Sequence, residues 1–190
     1  ARTIAQEIKV KLTPQEQARM VEARPINPEA YQAYLKGRFH WNQRTSGGFQ
    51  KAVDSFEQAI ALAQDWPLAY AGLADAYLLM PVFSSVRPSE AIPKAKAAAE
   101  RALKMDESLA EAHACLGHIA TNYEWDWPTA EREFERALRL SPNYAMAHNW
   151  YARHLMVMGR YDEAVRESTK GRELDPLAPS IGVTVGTVHN

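Results

Sequence analysis

Residues 137–142 read Ala137-Leu138-Arg139-Leu140-Ser141-Pro142, and residues 171–176 read Gly171-Arg172-Glu173-Leu174-Asp175-Pro176. The same phrase without its proline stands at Ala59-Ile60-Ala61-Leu62 and at Ala102-Leu103-Lys104-Met105. Lead residues 59, 102, 137 and 171 fall 43, 35 and 34 positions apart. A small residue that returns about every 34 positions, inside helical patterning, points to a stacked array of helix pairs.

Each unit reads as two antiparallel helices. In the fourth, Asn149-Trp150-Tyr151-Ala152 falls on the first helix, Gly159-Arg160-Tyr161 makes the turn, Asp162-Glu163-Ala164 opens the second helix and Pro176 closes it. Glycine suits the turn because it reaches positive φ at no steric cost, and proline cannot continue the helix before it. Small residues at Ala152, Ala164 and Gly171 allow close backbone approach, and Leu155 and Tyr161 are expected to fill the seam. The matching set in the third unit is Leu116, Gly117, Trp127, Ala130, Phe134, Ala137 and Pro142. In the second unit it is Tyr70, Leu73, Ala74, Tyr77, Ala95, Ala99 and Ala102, and the first keeps Gly37, Ala52, Phe56 and Ala59.

This set resembles the tetratricopeptide repeat, whose consensus carries an aromatic, Leu-Gly, Tyr, Ala, Phe, Ala and Pro over 34 residues. The resemblance covers residues 28–190 and implies an all-α fold, a right-handed α-α superhelix in which antiparallel helix pairs form a solenoid. Four repeats are expected, at 28–65, 66–108, 109–143 and 144–178. Residues 179–190 are then the first helix of a fifth, with Ile181, Val185 and Val188 on one face. Residues 1–27 read as two short non-repeat helices and a linker: Ile4, Ile8 and Leu12 follow i, i+4, i+8, and Thr13-Pro14-Gln15-Glu16 carries capping signals. Phrases such as Tyr34-Leu35-Lys36-Gly37-Arg38 and Ala71-Gly72-Leu73-Ala74-Asp75-Ala76-Tyr77 resemble the repeat portion of bacterial multidomain regulators, among them adenylate cyclases, winged-helix transcription factors and protein kinases.

Two units carry extra length. The first has it around Thr45-Ser46-Gly47-Gly48, read as a helix–helix turn. The second has it at Met80–Pro88, read as a loop, with Ser89 as the following cap and Pro93 in the first turns of the next helix.

Composition narrows the chemistry. Of 190 residues, 22 are basic and 23 acidic, giving a formal net charge of -1 and no broad basic field for nucleic acid. One cysteine excludes an internal disulfide framework. No apolar run is long enough to span a bilayer, Asp75 interrupting the most hydrophobic stretch, so no membrane contact is expected and the expected location is the cytoplasm. With Ala1 in first place, the chain reads as a piece of a longer protein. No esterase, zincin, Walker or dinucleotide motif is present, and neither a catalytic residue nor a cofactor is expected.

His113, Cys115 and His118 are the candidate metal ligands. On a helix the two histidines lie about 140° apart and cannot share an ion. Cys115 with His118 offers two ligands where a structural zinc wants four. His148 repeats the place of His113 one unit on, which favours packing, and no metal is expected. Trp127, at the place Tyr161 takes one repeat later, is expected in the core; Trp125 beside it has no such role. Glu131 and Glu135 with Arg132 and Arg136 read as solvated helix face.

The remaining candidate surface is the groove. First helices line the concave side of such arrays, where partners bind. Family groove positions, carried over one by one, fall on Tyr34, Arg38 and Trp41 in the first unit and on Leu68, Ala71, Asp75, Leu78 and Leu79 in the second. The third contributes Glu111, His118 and Asn122, and the fourth Met146, Asn149, Arg153 and Met156. Where chaperone-binding relatives carry the lysine and asparagine that hold a terminal carboxylate, this chain has Tyr34, Ala71, Ala114 and Asn149, and no such clamp results. The expected function is a protein-interaction module of a larger bacterial signalling or transcription-regulatory protein, binding a peptide, a protein or a neighbouring domain. The alternatives are self-association through exposed ends, or a ligand- or metal-sensing domain of an enzyme such as a nucleotide cyclase.

Overall fold

The computed structural model describes residues 26–176. The expected helices in 1–25 and in 177–190 lie outside them. Through the described residues eight α-helices run in order: α1 (Pro28–Asn42), α2 (Ser46–Leu62), α3 (Pro67–Phe83), α4 (Pro88–Met105), α5 (Ala110–Ile119), α6 (Trp127–Leu140), α7 (Ala145–Val157) and α8 (Tyr161–Leu174). There is no strand among the described residues, and the architecture is an all-α superhelix.

The sequence phase reappears as one repeated chain turn. The residue after each second helix donates its N–H to the fourth residue back: Ala63 to Ala59, Asp106 to Ala102 and Ser141 to Ala137, each at 2.9 Å, and Asp175 to Gly171 at 3.0 Å. Starts are set by side-chain caps and proline. Asn27 Oδ1 accepts from the Glu29 N–H, Thr45 Oγ1 from Gly48 and Asp126 Oδ1 from Thr129, while Pro28, Pro67, Pro88 and Pro128 occupy first turns, where an N–H has no intrahelical acceptor and its absence costs nothing.

Helices pair within each unit, α1 with α2, α3 with α4, α5 with α6 and α7 with α8. Consecutive first helices also touch, α1 with α3, α3 with α5 and α5 with α7, whereas consecutive second helices have at most marginal contact. Closer spacing of first helices puts them on the inner side of the curve.

Between the helices runs a seam of alanine. Ala52, Ala59, Ala74, Ala95, Ala102, Ala130, Ala137, Ala152 and Ala164 are fully buried, as are Phe56 and Phe134. The Phe56 ring lies between two glycines: a Cβ on Gly37 would fall 2.6 Å from it and one on Gly72 2.5 Å. Phe134 fills the same place beside Gly117, whose added Cβ would be 3.1 Å away. Leu73, Tyr77 and Leu116 are partly buried against this core.

Several local expectations are corrected. Met80–Pro88 is not a loop throughout, because α3 continues across Pro81 to Phe83 and only Ser84–Arg87 connects to α4. Arg87, not Ser89, is the N-cap. Gly47 and Gly48 lie in the first turn of α2, and the turn itself is made by Arg44 at φ 51°. Trp127 is 42% exposed and Tyr161 61%, so neither fills the seam. Both are the first residue of a second helix, a turn before it meets its partner at Ala130 or Ala164. Pro142 and Pro176 are exposed and act as terminators only. At the end of α5 a π-helical turn, Ala120–Glu124, widens the helix, and Trp125 closes it at φ 55° with 73% of its surface exposed.

Candidate functional site

The inner face gathers side chains from all four units into two polar clusters. The first centres on Asp75 of α3, which is 1% exposed. Arg38 of α1 holds its Nη1 3.7 Å from Asp75 Oδ2, too long for a hydrogen bond, and Asp75 Oδ1 has no partner. Burial pushes the Asp75 carboxyl up to about 7; Arg38 opposes the shift, Glu111 of α5 adds to it, and Arg44 opposes it. Burial likewise pushes the Tyr34 hydroxyl up to about 12 against the pull of Arg38, and it raises Tyr144 well above the usual phenol. Both hydroxyls therefore keep their protons at neutral pH.

Trp41 forms the floor beside this cluster. The guanidinium of Arg44 stacks 3.7 Å from its ring centroid and that of Arg38 lies at 4.8 Å. The indole Nε1 is buried and without a partner. Two cations thus contact one aromatic ring, and one unpaired donor and one unpaired acceptor sit next to the same arginine. Buried polar atoms are usually satisfied, so this pair marks the place where the inner face is least self-sufficient.

The second cluster lies along α5 and α7. The His118 ring is 4.9 Å from Trp150, and burial, with Arg153 adding to it, pushes the imidazole down to about 3. It is neutral at physiological pH. Asn122 Nδ2 donates to the His118 carbonyl, Met156 is half-buried and Arg153 is exposed.

Expected groove residues therefore divide. Tyr34, Arg38, Asp75 and Glu111 come together, and His118, Asn122 and Arg153 come together. Asp75, at 1% exposure, Asn149, at 2%, Trp41, at 4%, and Leu78, fully buried, are not themselves available at the surface. For Asn149 the register explains this: Ala71 and Ala114 hold the same place in the units before and are buried too.

Some partners had no sequence signal. Arg44 returns over Trp41 because its own backbone is left-handed. Glu131 is not plain solvated face: its carboxylate accepts from Tyr151 Oη (2.6 Å) and Arg160 Nη1 (2.7 Å) and meets His154 Nε2 at 3.1 Å. Burial lowers the His154 imidazole against the pull of Glu131, and its Nδ1 lies 3.0 Å from Thr121 Oγ1, whose own proton goes to the Gly117 carbonyl at 2.9 Å. His113 and His148 share one bonding pattern. Their Nδ1 atoms meet Glu133 and Glu167 at 2.7 and 2.6 Å, and their Nε2 atoms meet the carbonyls of Glu107 and Pro142 at 2.9 and 3.0 Å. Cys115 is buried, and among the described residues no group of three or more His, Cys, Asp or Glu is placed to hold a metal. None of the described helices is long and apolar enough to cross a membrane.

No protein-family model matches the chain. The transcriptional regulator HilA of Salmonella typhimurium (strain LT2) is 28% identical over 151 residues, which are 80% of this chain and 27% of HilA, so the chain spans about a quarter of the curated relatives it matches. Among solved structures, TTC0263, a thermophilic TPR protein of Thermus thermophilus, superposes with a TM-score of 0.68 at 19% identity, over 92% of this chain and 87% of that one. YrrB, a TPR protein with an unusual peptide-binding site, superposes with a TM-score of 0.51 at 20% identity, over 93% of this chain and 82% of its own. At these identities the likeness shows the fold, which is that of the tetratricopeptide-repeat proteins.

Proposed function

From the tetratricopeptide-repeat fold and the state of its inner face, we propose that this chain is a protein-interaction module of a larger bacterial regulatory protein, and that it binds an extended or helical peptide along the first helices. The carrying observation is the Arg38 guanidinium, partly exposed on the inner face and held 3.7 Å from the buried Asp75 carboxyl without a hydrogen bond to it. A peptide offers carbonyl and carboxylate acceptors to such a guanidinium, and strands or helices laid in grooves are recurrent modes of peptide recognition. Two likenesses support the reading: HilA is a transcriptional regulator, and YrrB is a TPR protein with a peptide-binding site.

The test is selection of a displayed random-peptide library on the full chain, followed by titration of enriched peptides against Arg38→Ala and Arg153→Ala. Loss of a hydrogen bond to a charged group costs about 1.5–3 kcal/mol, so affinity is expected to fall at least tenfold in one or both variants. Absence of enrichment, or enriched peptides indifferent to both substitutions, overturns the reading.

A further inference from the structure

The turn inside a unit repeats one backbone conformation two residues before the second helix begins. Gly159 takes it at φ 74° before α8, Trp125 at φ 55° before α6 and Arg44 at φ 51° before α2. Glycine is at ease in that region, whereas a bulky side chain is strained there. Arg44 uses the position to return its guanidinium over Trp41. Trp125 only carries an indole into solvent.

It has company on the same edge of the array. There α3 ends at the exposed Val82 and Phe83, α6 begins at the half-exposed Trp127, and the turn from α7 to α8 presents Val157, Met158 and Tyr161. Neighbouring first helices touch, so their tips stand about 10 Å apart and the side chains form one strip. The opposite edge is built otherwise. In the connections between units, 63–66, 106–109 and 141–144, no large apolar side chain is exposed, and Trp66 and Leu109 are buried. The strip leaves on the order of 700 Å² in water, more than the largest patch of an ordinary monomer at about 300–600 Å².

We infer that two copies of this chain pair along this edge, about a two-fold axis at the third unit, with Trp125 as the anchor. Two observations select a second copy as the occupant. The strip is close in size to the surface of about 800 Å² that each partner gives to a stable interface. Its charges are also self-complementary. A two-fold axis at the third unit sets the second unit of one copy against the fourth of the other, and every contact occurs twice. Arg87, whose side chain is 77% exposed, then meets Asp162 of the second copy, exposed in the first turn of α8. The pair of Arg87 with Glu90 inside one chain is a solvated one and competes weakly. Carboxylates near the axis are already compensated: Glu124 pairs with Lys96, and Asp126 accepts from the Thr129 N–H with Arg132 and Lys96 close by. Tryptophan at the centre of a patch is the side chain that most often carries an interface. The inference does not depend on what the inner face binds.

Sedimentation of the full chain over a concentration series tests the pairing. A dimer is expected, and Trp125→Gly is expected to raise its dissociation constant about thirtyfold or more. The unfolding midpoint of that variant should be held or raised, because glycine suits the left-handed backbone. Arg87→Glu and Asp162→Arg should each weaken the dimer about tenfold, and both changes in one chain should restore it to within about threefold. A chain that stays monomeric up to about 1 mM overturns the inference. So does a dimer that Trp125→Gly leaves unchanged, and so do charge reversals that fail to rescue each other.

Discussion

Arg38 and Asp75 face each other across α1 and α3 at 3.7 Å, a guanidinium and a buried carboxyl close enough to attract but not hydrogen-bonded. The aspartate is consequently stabilised too little for its burial, and its proton stays on up to about 7. An unfolded aspartate loses its proton near 3.8. Between those values the folded chain binds more protons than the unfolded one, so this group's contribution to stability falls as pH rises through the window and levels off above it.

Asp75→Asn keeps the side-chain shape and removes the ionisation. The variant is expected to melt with the unaltered chain near pH 4 and above it near pH 8. A gain of about 2 kcal/mol corresponds to roughly 4–8 °C for a chain of this size. Thermal melts of both proteins from pH 4 to 8.5 decide the matter: a difference in Tm that is constant with pH means that the carboxyl ionises normally and is well paired.

Glu131 is the opposite case. Burial would raise its carboxyl, but hydrogen bonds from Tyr151 and Arg160 outweigh that and hold it below the usual glutamate value. Its contribution is therefore present above the unfolded pKa and lost as pH falls through the folded one. Glu131→Ala leaves the Tyr151 hydroxyl and the His154 Nε2 without an acceptor, and a cost of about 2–4 kcal/mol is expected, with Glu131→Gln recovering part of it. Denaturant unfolding of the two variants at pH 7 measures this. Equal, small effects would mean that solvent replaces the carboxylate freely.

Glycine substitutions should follow the space around each. Gly72→Ala drives a methyl to 2.5 Å from Phe56, and the ring cannot withdraw because Gly37 lies on its other side. A loss of about 2–3 kcal/mol or more is expected. Gly117→Ala meets Phe134 at 3.1 Å and should cost less, while Gly47→Ala, in the first turn of α2 with nothing within 4 Å, should stabilise by about 0.4–1 kcal/mol. Ranking three unfolding midpoints checks the series; a Gly72→Ala as stable as Gly47→Ala would show that Phe56 is not held.

The repeat phase was legible because it is local: the residues that start it at 59, 102, 137 and 171 are those whose carbonyls close each second helix. The expected groove positions Arg38, Asp75, His118 and Arg153 are taken from the same register. Burial was not legible. Asp75 is covered by groups from other helices, and nothing near it in sequence says that Arg38 stops short of a hydrogen bond. Arg44 reaches Trp41 only through a left-handed backbone at a residue with no special propensity for it, and Pro81 inside α3 defeats the ordinary rule that proline ends a helix.

The paired histidines allow a test in duplicate. His113 links the chain turn before α5, through the Glu107 carbonyl, to Glu133 on α6; His148 links the turn before α7, through the Pro142 carbonyl, to Glu167 on α8. Each ring thus ties the entry of a first helix to the second helix of the same unit, at a point where an array held only by nearest-neighbour contacts depends on it. Double-mutant cycles, His113→Ala with Glu133→Ala and His148→Ala with Glu167→Ala, are expected to give similar coupling energies of about 1–2 kcal/mol at pH 7, since each removes a hydrogen bond to a carboxylate that is only partly exposed. The two cycles should add when combined, because the pairs share no residue. Coupling near zero in both would reduce these contacts to surface ornament, and coupling in one alone would break the equivalence of the third and fourth units.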